Sequence, residues 1–182
     1  MSGDLDLVAR AKLGNREAIE ALFRAYQDDV YRFAYALARW DTARAQDLAQ
    51  ETFLTAFERL RSLRDDSSFK SWLLGIAYNL NRNQRRKTRM ELDRAPYLIP
   101  IQEQRCDTEE LVASSQSQDM LRTALSMIAV GQREALYLRE ILGCSYEETA
   151  TILGITQNAA KNRVHAGKAS IERAIRGARN DE

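Results

Sequence analysis

Residues 145–164 read SYEETATILGITQNAAKNRV, and this stretch decides the fold of the C-terminal part of the chain. Ser145 and Glu148 have the spacing of a capping box, in which each side chain bonds the other residue's backbone N–H at the start of a helix. Gly154 permits a sharp turn, and Thr156 can cap a second helix. A short helix, a glycine turn and a second capped helix are typical of a helix-turn-helix, whose second helix lies in the DNA major groove.

The second helix of this motif has two different faces. Ala160, Val164 and Ile171 recur at helical spacing and are expected to face inward. The outward positions bear side chains that can donate hydrogen bonds to phosphates or base edges. These are Gln157, Asn158, Lys161, Asn162, Arg163, His165 and Lys168. A plain helical hairpin with a solvated polar face would also fit, but the order of small, glycine, apolar and capping residues favours DNA binding.

The N-terminal half of the chain carries helical periodicity almost without interruption from Asp4 to Arg89. It shows no strand alternation, and the whole chain has only 8 Gly and 2 Pro to punctuate short strands. The pattern predicts a first helix that starts near Leu5 and ends at Gly14-Asn15, then helices at 16–39, at 42–60 after a cap at Asp41-Thr42, and at 69–89. The expected fold class is therefore all-α.

The middle of the chain differs in composition from both sides. Residues 96–126 carry 2 Lys and Arg against 5 Asp and Glu, and both prolines, Pro96 and Pro100, lie near its start. An acidic, polar stretch between two more basic parts is typical of a linker. We expect an N-terminal domain at 1–89, a connector at 90–108 and a C-terminal domain at 109–182. Helical patterning in the last of these begins near Glu109 and continues as segments at 132–142, 146–153 and 156–175.

Two polar segments stand out in the N-terminal domain. The first is DLAQETFLTAF at 47–57. Its spacing places four side chains on one side of a helix, namely Asp47, Gln50, Glu51 and Leu54. Phe53 and Phe57 form an aromatic i,i+4 pair beside them. Taken alone, an amphipathic helix with a solvated acidic edge explains this pattern as well as a binding surface does.

The second segment is basic. Residues 82–89 include five basic side chains and no acidic one, and such a cluster binds phosphates by releasing condensed counterions. Phe69, Trp72 and Tyr78 lie just upstream, and unpaired bases can stack on aromatic rings at about 1–3 kcal/mol each. Phe69 and Trp72 also fit a hydrophobic core, and for Trp72 both interpretations stay open.

Composition argues against several other functions. The chain has one histidine, His165, and two cysteines, Cys106 and Cys144, that form no CxxC pair, so we expect no metal and no cofactor. The sequence contains no glycine-rich phosphate loop and no HExxH, which argues against a nucleic-acid enzyme. No apolar run approaches the about 20 residues that cross a bilayer, and the acidic start differs from a secretory signal. We expect a cytoplasmic protein that does not insert into a membrane.

Together, and in this order, these segments resemble the small extracytoplasmic-function (ECF) sigma factors of the sigma-70 family. Residues 47–57, followed by FKSWLLGIAYN at 69–79 and by Arg85-Arg86, are similar to conserved region 2. QREALYLRE at 132–140, leading into 145–150, is similar to region 4. The resemblance implies two helical domains that direct core RNA polymerase to specific promoters and no enzymatic activity. The runner-up, a helix-turn-helix transcription regulator without sigma activity, leaves the segments similar to region 2 unexplained.

The resemblance also implies roles for individual residues. The largest subunits of core RNA polymerase would be contacted by Asp47, Gln50, Glu51, Phe53, Leu54 and Phe57. The promoter −10 element would be melted and read by the segment 63–87, through Leu63, Lys70, Trp72, Asn79, Arg82, Asn83, Arg85, Arg86 and Lys87. The −35 element would be read by the helix 156–168, through the seven outward side chains named above. An anti-sigma factor is the regulator that the resemblance implies.

The second helix of the helix-turn-helix departs from the family pattern at two places. The family commonly has Gly-Thr-Val before its basic residue, whereas Asn158-Ala159-Ala160 precede Lys161 here. After His165 the family usually has Arg, whereas this chain has Ala166-Gly167. Fewer cations are left for phosphates, which lowers the expected −35 affinity. Gly167 is also expected to cost up to about 1 kcal/mol of helix propensity relative to Ala.

Overall fold

The computed structural model describes residues 2–65, 68–94 and 128–180, and all regular structure within these ranges is helical. The chain divides into two compact units, Met1–Pro100 and Ile101–Glu182. The prediction of an all-α protein built from two helical domains is thus confirmed. The predicted connector beyond residue 94 and the predicted helical stripe at 109–127 lie outside the described residues.

The N-terminal unit contains the four predicted helices. They are α1 (Ser2–Lys12), α2 (Arg16–Leu37), α3 (Thr42–Arg59), which is followed by a 3₁₀ turn at Leu60–Ser62, and α4 (Phe69–Arg94). The prediction ended α4 near Arg89, but the helix continues to Arg94. The five residues after Arg89, MELDR, contain neither Gly nor Pro, so nothing in them stops a helix.

Local capping chemistry sets where these helices begin. Asp41 begins α3 as predicted, because its Oδ1 accepts the Arg44 backbone N–H at 3.0 Å. Asn15 behaves differently from the expectation that it would help to end α1. Gly14 alone takes the left-handed conformation, with φ +86°. Asn15 is extended and caps α2, since its Oδ1 accepts the Ala18 N–H at 2.9 Å.

Helix α2 is the centre of the N-terminal core. It packs against α1, α3 and α4, and the side chains of Leu22, Val30 and Phe33 are completely buried. Full burial of a side chain of this size stabilises the fold by about 1.5–3 kcal/mol. Val8 of α1 and Leu73 of α4 are buried to the same extent.

The turn between α2 and α3 contains two non-glycine residues with left-handed backbones, Arg39 at φ 57° and Trp40 at φ 72°. Each such residue costs on the order of 1–3 kcal/mol. Two contacts hold the turn in place. The Trp40 backbone N–H donates to the Tyr35 carbonyl oxygen at 2.9 Å, and the Trp40 ring meets the Tyr35 ring edge-to-face at 5.5 Å between centroids.

The C-terminal unit contains the predicted helix-turn-helix. Helix α5 (Val130–Leu136) continues as a π-helical segment at Tyr137–Ile141, and α6 (Tyr146–Leu153) and α7 (Gln157–Asn180) follow. Both bonds of the capping box are made, because Ser145 Oγ accepts the Glu148 N–H at 3.0 Å and the Glu148 carboxylate accepts the Ser145 N–H at 2.6 Å. Gly154 turns the chain with φ +63°. Thr156 Oγ1 caps α7 by accepting the Ala159 N–H at 3.2 Å.

Gly167 has a packing role that its helix propensity does not reveal. A Cβ at this position would lie 3.3 Å from the Gln132 carbonyl oxygen and 3.5 Å from Leu136 Cβ. Both neighbours belong to α5, so the missing side chain lets α5 and α7 approach closely. The propensity loss expected from the sequence is therefore accompanied by tighter helix packing.

Tyr26 of α2 ties α1 to the core. Its hydroxyl donates to Asp4 Oδ2 at 3.3 Å. Burial raises the pKa of Tyr26 to about 12, and the charge of Asp4, its hydrogen bond and the charge of Asp29 add to the increase. In the unfolded chain a tyrosine loses its proton near pH 10. The stabilisation is therefore complete below pH 10 and is lost as the pH rises toward 12.

Replacing Tyr26 with Phe tests this linkage. Between pH 10 and 12 the variant should lose less stability than the parent chain, because it has no phenol to ionise in the unfolded state. Urea midpoints measured at pH 9 and at pH 11 give the comparison. Tyr31→Phe, which removes an exposed hydroxyl from the same helix, is the matched control. Equal losses in the parent and in Tyr26→Phe would contradict the assignment.

Candidate functional site

Helix α3 exposes the polar residues that the sequence places on one side. Asp47, Gln50 and Glu51 are exposed, and the Leu54 side chain is exposed to 58% although it is apolar. Phe53 is buried and Phe57 is half-buried. The face therefore combines two carboxylates with an apolar side chain that the described residues of this unit leave exposed.

A groove of about 550 Å³ runs between α2 and α3. Its floor is aromatic, because the rings of Phe23 and Phe53 lie 4.7 Å apart and those of Phe53 and Phe57 lie 5.9 Å apart. The other lining residues are Gln27, Asp28, Tyr31, Gln46, Ala49, Gln50 and Leu54. Four residues of the predicted polymerase-contacting set, Gln50, Phe53, Leu54 and Phe57, thus meet at one concave surface.

The α2 side of this groove was missed by the sequence analysis. Phe23 and Tyr31 are 41% and 37% exposed, and both lie outside the buried stripe of α2. They are eight residues apart, which places them on a common helix face. In the sequence, a second row of apolar residues on a helix that already has a buried apolar stripe is the pattern that indicates a surface groove.

The segment predicted to meet the −10 element begins with residues that differ in accessibility. Leu63 is only 6% exposed, so direct contact between its side chain and DNA is not supported. Phe69 is buried, and Trp72 is half-buried with its ring 6.1 Å from that of Phe69. Lys70 forms an ion pair with Asp29 at 2.8 Å. Trp72 therefore belongs partly to the core and partly to the surface.

The predicted basic face lies on the second half of α4. Every residue from Arg82 to Met90 is exposed, and Asn79 is exposed one turn earlier. Trp72, Asn79 and Arg86 follow one another at seven-residue intervals, so they share one side of the helix. The structure thus aligns a half-buried aromatic ring, an amide and the Arg86 cation along one edge of α4, and the other cations of residues 82–89 surround this end of the helix.

Helix α7 exposes most of the predicted DNA-reading residues. Gln157, Asn158, Lys161, Asn162, His165 and Lys168 are all exposed, whereas Ala160 and Val164 are completely buried. Lys161 lies over the Tyr146 ring at 5.7 Å, and Arg139 approaches the same ring at 4.8 Å. Lys168 pairs with Glu140 at 3.0 Å.

Arg163 is an exception among the predicted outward residues. It is half-buried, and its guanidinium packs against α5, where a Cβ added to Gly131 would lie 3.1 Å from Arg163 Nη1. The reason is helical geometry, since residue 163 is three positions after buried Ala160 and four before Gly167. It therefore flanks the inner face of α7, and a direct contact between Arg163 and DNA stays a prediction.

Within the described ranges no group of three or more His, Cys, Asp and Glu side chains could hold a metal ion. No helix in the described part of the chain combines the length and hydropathy needed to cross a membrane. Cys144 is buried, and Cys106 lies outside the described residues.

Comparison with known families assigns both units. Residues 22–90 match sigma-70 region 2, and residues 118–171 match sigma-70 region 4. The ECF RNA polymerase sigma factor SigC of Mycobacterium tuberculosis is 34% identical over 163 residues, which cover 87% of this chain and 83% of that protein.

Solved structures agree with this assignment. The sigma factor RpoE of Bartonella quintana, solved in complex with the anti-sigma factor NepR, has a TM-score of 0.71 and 26% identity, covering 86% of this chain and 96% of that one. CnrH, solved with the cytosolic domain of CnrY, shares the fold, with a TM-score of 0.70 at 24% identity over 96% of this chain and 97% of that one.

Two helical units that match regions 2 and 4 define a transcription initiation factor of the sigma-70 type. Within that class, the chain belongs to the ECF sigma factors. It directs core RNA polymerase to specific promoters. The region 2 match decides against a helix-turn-helix regulator without sigma activity, because such a regulator has no use for the N-terminal unit.

Proposed function

We propose that three separate surfaces of this sigma factor divide the work of initiation, one for core polymerase and two for promoter DNA. The carrying observation is that the exposed sides of α3, α4 and α7 hold most of the polar side chains that the family resemblance assigns to binding, while the opposite side of each helix packs into its own unit. In this proposal the surfaces belong to a domain at 1–89 and a domain at 109–182, joined by residues 90–108. The chain acts beside the polymerase in the cytoplasm and carries out no catalysis itself.

The polymerase surface is the exposed face of α3 together with the adjoining rim of the groove between α2 and α3. An exposed Leu54 beside a groove with an aromatic floor offers an apolar anchor for a helix of the partner. Asp47 and Glu51 lie at the polar edge and select a basic partner surface. The occupant is the coiled coil of the polymerase's largest subunit, as the family resemblance implies.

Reversing the two charges tests this surface. The double variant Asp47→Lys with Glu51→Lys should bind core RNA polymerase about tenfold more weakly, because like charges then meet across the interface. Its thermal unfolding should match that of the parent, since both side chains are exposed. Asp6→Lys with Glu17→Lys changes the net charge equally and should bind like the parent. Parental affinity in the first variant would reject the assignment.

The −10 surface is the exposed edge of α4. Asn79 lies between Trp72 and the cations of residues 82–87, so an extruded base and its flanking phosphates can be met by one helix edge. Extruding a base from the duplex costs only a few kcal/mol. The binding free energy of this surface can therefore drive strand opening without nucleotide hydrolysis.

The −35 surface is the first half of α7. Gln157, Asn158 and Asn162 can bond base edges, and Tyr146 holds Lys161 above its ring, which reduces the number of conformations that the lysine must give up on binding. Arg163 is best explained as a residue that stabilises the contact between α5 and α7, and its effect on DNA binding would be indirect.

A library of DNA with randomised upstream sequence tests α7 without knowledge of the natural promoter. Transcripts made by core polymerase with this protein are sequenced, which gives the base preference at each upstream position. Lys161→Ala should reduce preference at the −35 element, at a cost of about 1–3 kcal/mol for a bidentate base contact, and should leave the −10 preference unchanged. Arg173→Ala, which removes an exposed cation later in α7, should change neither. If the −35 preference is unchanged in Lys161→Ala, residues other than Lys161 read the −35 element.

We further propose control by an anti-sigma factor that covers the groove between α2 and α3. An apolar concave surface that must stay accessible to polymerase is also accessible to a competitor. The relative from Bartonella quintana, which was solved with an anti-sigma factor, supports this proposal.

Purification from the native cell at endogenous level tests this control. Under non-inducing conditions the protein should be recovered with a partner other than polymerase, and Phe23→Ala with Leu54→Ala should reduce that recovery. Arg24→Ala, which removes an exposed side chain from α2, should not. Recovery solely as free protein or as the polymerase complex would contradict the proposal.

A further inference from the structure

Helix α1 is bonded to the turn that follows α3, although 51 residues separate the two in sequence. The Lys12 ammonium donates to the Leu63 carbonyl oxygen at 2.6 Å. In return, Arg61 Nε donates to the Lys12 carbonyl oxygen at 3.2 Å. The end of α1 and the end of the 3₁₀ turn are therefore joined by two bonds that run in opposite directions.

These bonds satisfy groups that helix ends leave without partners. The last carbonyl groups of a helical segment accept no hydrogen bond from an N–H of the same helix. A cation beside them also interacts favourably with the helix dipole. Lys12 is the last residue of α1, and Leu63 is the C-cap of the 3₁₀ turn. Each segment thus supplies the cation that the end of the other requires.

Leu63 is consequently fixed by three independent contacts. Its N–H donates to the Leu60 carbonyl oxygen at 3.1 Å, its carbonyl oxygen is held by Lys12, and its side chain is buried. These contacts restrain the backbone at the point from which the chain continues to Arg64 and Asp65. Without Lys12, the carbonyl would lose its charged partner and the backbone would be less strictly restrained.

The other end of α1 is connected to the start of α4 through Tyr26 of α2. Asp4 accepts the Tyr26 hydroxyl hydrogen bond, and the Tyr26 ring packs edge-to-face on Phe69 at 5.2 Å. The next residue, Lys70, is paired with Asp29 of α2. Through these contacts α1 supports both described ends of the segment 63–70, Leu63 directly and Phe69 through Tyr26.

We propose that α1 is a positioning element for −10 reading, with Lys12 as its positioning residue. The proposal rests on the assignment of 63–70 and α4 to the −10 element. Lys12 does not contact DNA in this mechanism. It sets the exit of the chain at Leu63, and thereby the accuracy with which the bases of the −10 element are discriminated. A bond that served folding alone would alter stability and total activity but would leave base discrimination unchanged.

The randomised-promoter experiment separates these two roles, because the −35 preference is measured in the same reaction. In Lys12→Met, which keeps the aliphatic chain and loses the donor, the preference for the best over the second base at the −10 element should fall about three- to tenfold. This is less than the factor of more than about ten that a whole charge-assisted hydrogen bond is worth, because the effect of Lys12 reaches the bases only through the backbone. The −35 preference and the affinity for core polymerase should stay at the parental values. Lys12→Arg, which keeps a cationic donor, should restore most of the −10 preference.

Two controls make the outcome decisive. Arg16→Met removes an exposed cation that pairs with Glu20 on its own helix, and it should behave like the parent. Asn79→Ala tests the underlying assignment. If Asn79→Ala alters the −10 preference and Lys12→Met does not, the positioning role is rejected. If neither variant alters it, the −10 assignment of α4 fails.

A second variant covers the case in which Lys12→Met does not fold, as judged by circular dichroism. Arg61→Leu breaks the same connection from the exposed side by removing the donor to the Lys12 carbonyl. It should lower the −10 preference in the same direction and by a smaller factor. A folded Arg61→Leu variant with parental −10 preference overturns the proposal, as does any variant of this pair that reduces both promoter preferences equally.

Discussion

The N-terminal unit depends on one constraint, the burial of the apolar stripe of α2 by three neighbouring helices. Leu22, Val30 and Phe33 have no exposed surface, and α1, α3 and α4 all pack on this helix. Each neighbour is therefore fixed in rotation about its own axis by what it contributes to the same core. The exposed edges of α3 and α4 are consequences of this arrangement. Burial of Leu48 in α3 and of Leu73 in α4 fixes which side of each helix faces the solvent.

The same constraint explains why the groove lies on α2. A helix that buries one stripe among three neighbours leaves its remaining face uncovered, and here that face carries Phe23 and Tyr31. The exposed part of each ring contributes nothing to the fold, since burial is what makes apolar surface stabilising. The apolar character of these rings next to the exposed Leu54 is explained when a partner completes the burial. This supports the proposal that the groove is an interface whose second half is supplied by another chain.

Sequence reasoning succeeded here where the determinant is local and failed where it is not. Asp41, Ser145 and Gly154 act within one helical turn, so their roles follow from spacing alone. Asn15 was misassigned because the same residue type both ends and begins helices, and only the backbone angle decides. The packing of Gly167 and Arg163 was not predicted because their neighbours, Gln132 and Gly131, belong to a helix distant in sequence. Predicting the groove would have required the rotation of α2 relative to α3, and the periodicity of a single helix does not contain this information.

Two cations of α7 are held by neighbouring side chains, although this helix departs from the family pattern at two places. Lys161 rests on Tyr146 and Lys168 pairs with Glu140, so each is held by a neighbour from another helical segment. A side chain already restricted in the unbound protein loses less conformational entropy on meeting a phosphate or base. The opposing effect is that Lys168 must weaken or share its pair with Glu140 to reach DNA, although an exposed pair of this kind contributes only about 0–1 kcal/mol. Two held cations can therefore replace part of the affinity that the missing arginine after His165 would supply, and in the proposed mechanism Lys161 reads the −35 element together with Gln157, Asn158 and Asn162.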